Sequence, residues 1–157
     1  KETKLLYQEI EKYEKIKDIK YHLRASTKDQ IPKQILAMRS SLEQSDKIII
    51  FSPVYNGGFL AHLKNTLDWL SLSYSDKRYN ALFRDKNVAV ITSVRGLGGN
   101  AQAAFELLSA QLSNYSLKVF DEFHLITNKE HQNEELIEDN KEIFDDIKKF
   151  VFRFLDF

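Results

Sequence analysis

Cysteine is absent from this chain. That excludes disulfides, thiol redox chemistry and cysteine–zinc sites. An excess of charge is also missing: 23 Lys and Arg balance 23 Asp and Glu. A nucleic-acid surface draws most of its affinity from basic excess, so no nucleic-acid partner is expected. The same balance disfavours an acidic electron carrier that docks by charge. No apolar run approaches the ~20 residues of a membrane-spanning helix, and no signal-peptide pattern stands at the start. The expectation is a cytoplasmic protein with no membrane partner. The four histidines, His22, His62, His124 and His131, are scattered without a metal-like pairing on one helix face. No metal site is expected.

Proline and glycine are scarce: two and five among 157 residues. All five glycines fall in two clusters, Gly57-Gly58 and Gly96, Gly98, Gly99. Glycine is needed where the backbone takes a positive φ or must approach something closely. The chain therefore has two special turns, and each follows an apolar strand. The length suits one domain, 1–157, with a core of useful size.

The stretch 47–65, KIIIFSPVYNGGFLAHLKN, organises the rest. Ile48–Phe51 is an apolar run too short for a helix and reads as a strand buried on both faces. Ser52-Pro53 stops it, and Tyr55-Asn56-Gly57-Gly58 reads as a tight turn. From Phe59 the period becomes helical, with Leu60, Leu63, Leu67 and Leu70 on one face.

Other elements fall around it. Residues 1–16 read as a helix already under way, with Leu6, Ile10 and Tyr13 inward. Ile19, Tyr21 and Leu23 alternate with polar residues as a half-exposed strand. Pro32 suits the first turn of a second helix with Ile35, Met38 and Leu42 inward. Residues 71–87 are irregular but aromatic. Val88–Ile91 is a second buried strand, and Thr92–Asn100 a second glycine turn. The next helix buries Ala101, Ala104, Phe105, Leu108 and Leu112. Leu117–Ile126 is a last strand, placed at a sheet edge. A helix over 131–155 turns Ile143, Phe144, Ile147, Phe150, Val151 and Phe154 inward. Strand–helix alternation of this kind predicts an α/β protein with a parallel sheet covered by helices on both faces. Ligands of such sheets bind beyond the C-terminal strand ends.

Two stretches carry a family resemblance. Ser52-Pro53-Val54-Tyr55-Asn56-Gly57 followed by Leu63-Lys64-Asn65-Thr66-Leu67-Asp68-Trp69-Leu70 is similar to the signature of NADPH-dependent FMN reductases, which include quinone, azo-dye and chromate reductases. The family's usual form is P-E-Y-N-G, then L-K-N-A-L-D-W-L, so Val54 replaces the common Glu. The run V-A-V-I-T-S-V-R-G-L-G-G-N-A, 88–101, resembles the family's next strand and turn. The resemblance implies a flavodoxin-like doubly wound parallel sheet of strand order 2-1-3-4-5, with strand 1 absent from these 157 residues.

That absence has an energetic side. Losing strand 1 leaves two interior edges unpaired, at a cost of roughly ten hydrogen bonds of about 1 kcal/mol each. This rivals the whole stability of a domain, about 5–15 kcal/mol. The expectation is an incomplete N-terminus, with an apolar strand and loop of about a dozen or more residues upstream.

The resemblance further implies an oxidoreductase that binds FMN and passes hydride from NADPH or NADH to a small acceptor: a quinone, an azo compound, free flavin or a metal oxyanion. Pro53, Val54, Tyr55, Asn56 and Gly57 would line one side of the flavin ring, and Ser93, Val94, Arg95, Gly96 and Gly98 the other. No catalytic side chain is required, since the flavin carries the chemistry. From spacing alone, Pro53–Gly58 reads equally as an ordinary strand-to-helix turn, and Arg95–Gly99 as a solvated loop. Lys64, Asn65, Asp68 and Trp69 fit packing and capping better than catalysis. The family's phosphate loop, G-S-x-R-x-x-S-x-N, has no match in 1–17, so a binding or regulatory domain without cofactor is the second reading. The density of Phe150, Phe152, Phe154 and Phe157 exceeds one helix face and suggests a partner subunit, in keeping with the homodimers or dimers of dimers of the family.

Overall fold

The computed structural model describes residues 31–73, 77–94, 100–127 and 141–157. The helix expected over 1–16, the strand at 19–23, residues 95–99 of the turn expected over 92–100 and the start of the last helix lie outside the described residues, while Thr92, Ser93 and Val94 of that turn extend the second strand instead. Within them the order is α1 (Lys33–Glu43), β1 (Lys47–Pro53), α2 (Ala61–Ser71), β2 (Asn87–Val94), α3 (Ala101–Asn114), β3 (Lys118–Thr127) and α4 (Lys141–Asp156). The three strands form a parallel sheet in the order β1-β2-β3. Neighbouring parallel strands need a crossover, and α2 and α3 supply the two here.

Among the described strands β2 lies in the middle. Val88, Ala89, Val90 and Ile91 are all buried, as an unbroken apolar run predicts. Alternate side chains serve opposite faces. Val88 and Val90 join Ile50 and the buried residues of α1, α2 and α3 in one core. Ala89 and Ile91 join Phe120, Ile126, Phe150 and Phe154 in another, beneath α4.

β1 departs from the expectation. Ile50 is buried and Ile48 and Ile49 partly so, but Phe51 is 53% exposed. Register explains it. Phe51 shares a face with Ile49, on α4's side of the sheet. There α4 packs its buried rings on Phe120 of β3, which leaves the far end of β1 uncovered by it. The same placement corrects a second expectation. Ile143, Phe150 and Phe154 are buried in α4 and Ile147 and Val151 partly, but Phe144 is 50% exposed.

The expected faces of the other helices hold. Ile35 and Met38 of α1 are buried, as are Leu63, Leu67 and Leu70 of α2. All five residues assigned inward in α3 are buried. Burying one such side chain contributes about 1.5–3 kcal/mol. Pro32 is the N-cap of α1 rather than a first-turn residue, and its carbonyl accepts from the Leu36 N–H at 3.1 Å. Leu60 likewise caps α2 instead of joining it.

Polar ties fix how α1, α2 and α3 meet. The buried Arg39 of α1 donates from Nη2 to the carbonyls of Trp69 (2.7 Å) and Leu72 (3.2 Å). Those are end carbonyls of α2, which lack partners inside the helix and face the negative end of its dipole. Asn80 is buried with a φ of 59°. Its N–H donates to the Ser71 carbonyl (2.8 Å) and its Nδ2 to the Asn114 carbonyl (3.1 Å), so the irregular 77–86 segment is pinned to the ends of both α2 and α3. The Tyr115 hydroxyl donates to Asp68 of α2, whose carboxylate also accepts from Lys64 Nζ at 2.6 and 2.7 Å. Burial and the Asp68 carboxylate push the Tyr115 hydroxyl well above the ordinary tyrosine range.

Candidate functional site

The sequence places its two special turns after β1 and β2, and the structure brings those strand ends together. Pro53 of β1 and Ser93 of β2 are register partners. One residue on, the Val54 N–H donates to the Ser93 carbonyl at 2.9 Å, so the parallel ladder runs past the last residue of β1.

Immediately after this tie the chain folds back on itself. The Tyr55 N–H donates to the Gly58 carbonyl at 2.9 Å, and the Gly58 N–H to the Tyr55 carbonyl at 3.0 Å. Asn56 and Gly57 between them both have positive φ, 52° and 78°. Two central residues with positive φ define a type I′ turn, which Asn-Gly favours more than almost any other pair. Asn tolerates this region because its short polar side chain bonds locally, and Gly because it has no Cβ. The tight turn expected from Tyr55-Asn56-Gly57-Gly58 is therefore present, and closed by its own two hydrogen bonds.

This closure decides which donors are left. Pro53 has no N–H, the Val54 N–H is spent on Ser93, and the Tyr55 N–H on Gly58. The turn's closing bonds use neither the Asn56 N–H nor the Gly57 N–H. A Cβ built on Gly57 meets nothing within 4 Å, so the turn borders open space at Gly57. Asn56 is exposed and Tyr55 is 64% exposed. Two adjacent amide donors beside open space, flanked by apolar Val54, Phe59 and Leu60, fit the polar edge of a flat aromatic ligand.

Of the ten residues assigned to the site, the structure places Pro53 to Gly57 on one strand end and turn, and Ser93 and Val94 on the adjoining end of β2. Arg95, Gly96 and Gly98 lie outside the described residues. Sequence reasoning missed Thr92. It is buried, and its hydroxyl donates to the Ser52 carbonyl at 2.8 Å. A signal existed: Thr92 follows Val88 and Val90 at period two, so it sits on the inward face as a polar residue at a strand end.

Comparison with known proteins gives the family of the chain. The model of the family described as NADPH-dependent FMN reductase matches residues 4–132, and the chain belongs to that family. It is 28% identical over 99 residues to the NADH:(hydroxy)cinnamate reductase subunit CrdA of Vibrio ruber, covering 63% of this chain and 45% of that relative. It is 37% identical over 68 residues to an NADPH:quinone oxidoreductase of Arabidopsis thaliana, covering 43% of this chain and 32% of the relative. The chain thus spans less than half the length of these two relatives. Among solved structures, FerB, a flavoenzyme NAD(P)H:(acceptor) oxidoreductase from Paracoccus denitrificans, superposes with a TM-score of 0.57 at 23% identity. That match covers 68% of this chain and 56% of FerB, and it shows a shared fold.

Proposed function

We propose that this chain belongs to an FMN-dependent NAD(P)H oxidoreductase that passes hydride from NAD(P)H through bound flavin to a small acceptor such as a quinone, an azo compound, free flavin or a metal oxyanion. The observation that carries this reading is the self-closed Tyr55–Gly58 turn, which sits at a parallel-strand end and leaves the Asn56 and Gly57 amides to a ligand. Membership of the reductase family supports it, as do the activities of the two relatives.

In this reading Pro53, Val54, Tyr55, Asn56 and Gly57 line one side of the ring. Ser93 and Val94 stand on the other, continued by Arg95, Gly96 and Gly98. When bound, FMN supplies the hydride chemistry. The chain's own contribution is position: a fixed turn offers two amide donors, and the apolar side chains beside it exclude water. No side chain acts as acid or base. The strand order is 2-1-3-4-5, in which the described β1, β2 and β3 are the third, fourth and fifth strands. The chain forms a single domain, works in the cytoplasm and assembles as a homodimer or a dimer of dimers.

The deciding experiment is a visible absorption spectrum of the purified full-length protein, taken before and after anaerobic NADPH. A flavin spectrum that bleaches with NADPH is expected. A colourless protein that takes up no added FMN would remove the enzyme and leave a binding domain of the same fold.

A further inference from the structure

We infer that Thr92 is the positioning residue of this site: its hydroxyl sets where the Pro53–Gly57 loop leaves the sheet, and so aims the Asn56 and Gly57 amides. This rests on the flavin reading above and names the part of the chain that makes the site rigid.

The case begins with Ser52. It is the last residue before Pro53, and proline has no N–H to add to a ladder. Pro53 therefore offers no backbone donor where the loop begins, and its neighbours make the ties that hold this end of β1 to β2. Ser52 is buried, so protein groups rather than water hold this end of β1. Thr92, its register partner on β2, supplies a hydrogen bond from its side chain: Oγ1 donates to the Ser52 carbonyl at 2.8 Å, in a buried contact. The next tie is the backbone bond from Val54 to Ser93. Two consecutive hydrogen bonds, on either side of Pro53, thus clamp the loop to β2. The turn closes just beyond them.

Valine has the same branched shape as threonine and keeps the strand's preference. Thr92→Val removes only the hydroxyl and with it the side-chain bond to the Ser52 carbonyl. Thr92→Ser keeps the hydroxyl. Ser71→Ala is the control: the Ser71 hydroxyl is also buried and also donates to a carbonyl, Asp68 at 2.7 Å, but at the far end of α2.

Two measurements test the role. In an FMN titration of the apoprotein, Thr92→Val is expected to weaken affinity about tenfold, while Thr92→Ser and Ser71→Ala stay within about twofold. In hydrogen exchange without flavin, Thr92→Val is expected to speed the Val54, Tyr55 and Gly58 amides more than Val90, with Thr92→Ser restoring protection. Equal affinity for wild type and Thr92→Val would overturn the proposal. So would an equal loss in Ser71→Ala, which would mean that stability alone was read. If the wild type takes up no FMN, the flavin reading fails, and the exchange pattern still decides the positioning role: uniform acceleration across β1 and β2 would reject it.

Discussion

Lys47 and Phe154 stand near opposite ends of the described chain, yet the Lys47 ammonium donates to the Phe154 carbonyl at 3.0 Å. It also reaches the Leu155 carbonyl at 2.7 Å and lies 5.3 Å from the centre of the Phe154 ring. A lysine at the start of β1 thus caps the C-terminus of α4, where end carbonyls lack partners and the helix dipole favours a cation. Lys47→Met is expected to cost about 1–2 kcal/mol, and Lys47→Arg less. Urea denaturation checks this. Losses below about 0.5 kcal/mol, the range of ordinary surface changes, would show that the cap contributes nothing.

Tyr115 predicts a pH dependence. Burial and its hydrogen bond to Asp68 raise the hydroxyl's pKa in the folded protein. The unfolded tyrosine ionises near the ordinary value of about 10. Above that pH the unfolded chain holds fewer protons than the folded one, so stability falls as pH rises. Below it the contribution is fully present. Tyr115→Phe is expected to cost about 1–3 kcal/mol at neutral pH by stripping Asp68 of a donor, and to flatten the alkaline decline. Denaturation series at neutral and alkaline pH for both proteins provide the comparison; parallel declines would contradict the assignment.

The two glycines of the first turn should respond differently. Gly57 has a φ of 78°, and open space around its missing Cβ. Gly57→Ala therefore meets no clash and costs about 1–2 kcal/mol of backbone strain. Gly57→Val costs more, because β-branched residues are outliers at positive φ. A Cβ on Gly58 lies 3.8 Å from the Tyr55 carbonyl, an ordinary contact, so Gly58→Ala is tolerated. The expected order of thermal stability is wild type close to Gly58→Ala, then Gly57→Ala, then Gly57→Val. Any reversal within that series would count against the turn geometry.

Asn56→Asp separates turn formation from ligand binding. Aspartate also tolerates positive φ, so the turn persists and thermal stability changes little. On the flavin reading proposed above, a carboxylate would then stand beside the Asn56 and Gly57 amides and face the polar edge of the ring. FMN affinity should drop about tenfold or more, with partial recovery at low pH as the carboxyl protonates. An unchanged titration would exclude Asn56 from the ring-lining set.

Much of the fold could be read from periodicity, because periodicity reports which face is buried. The inward set of α3 needed only its spacing. The Asn56-Gly57 pair fixed a turn type through φ alone. What periodicity cannot supply is how far a covering element extends. Phe51 and Phe144 look like core residues, yet both are half exposed: Phe51 stands at the end of β1 beyond the rings of α4, and Phe144 lies off the Ile143–Ile147–Phe150–Phe154 face that α4 buries. Nor does apolar spacing identify polar ties. Arg39 and Asn80 are buried because particular helix-end carbonyls, far away in sequence, need donors. Such needs arise only once the helices are placed.

The parallel register also bears on how quickly this protein assembles. Ser52 and Thr92, which pair across β1 and β2, are 40 residues apart in the chain. Asn87 and Lys118 join β2 to β3 across a complete helical crossover. Between the described strands there is no hairpin from which pairing could spread; the Tyr55–Gly58 turn is a local antiparallel contact, but it joins no two of them. Each ladder therefore waits for a long loop to close before any hydrogen bond rewards it. Helices can form early, but β2 gains its partners only late. A nascent chain that ends between β2 and β3 exposes one edge of its most apolar strand, and that is the interval in which misassembly competes with folding.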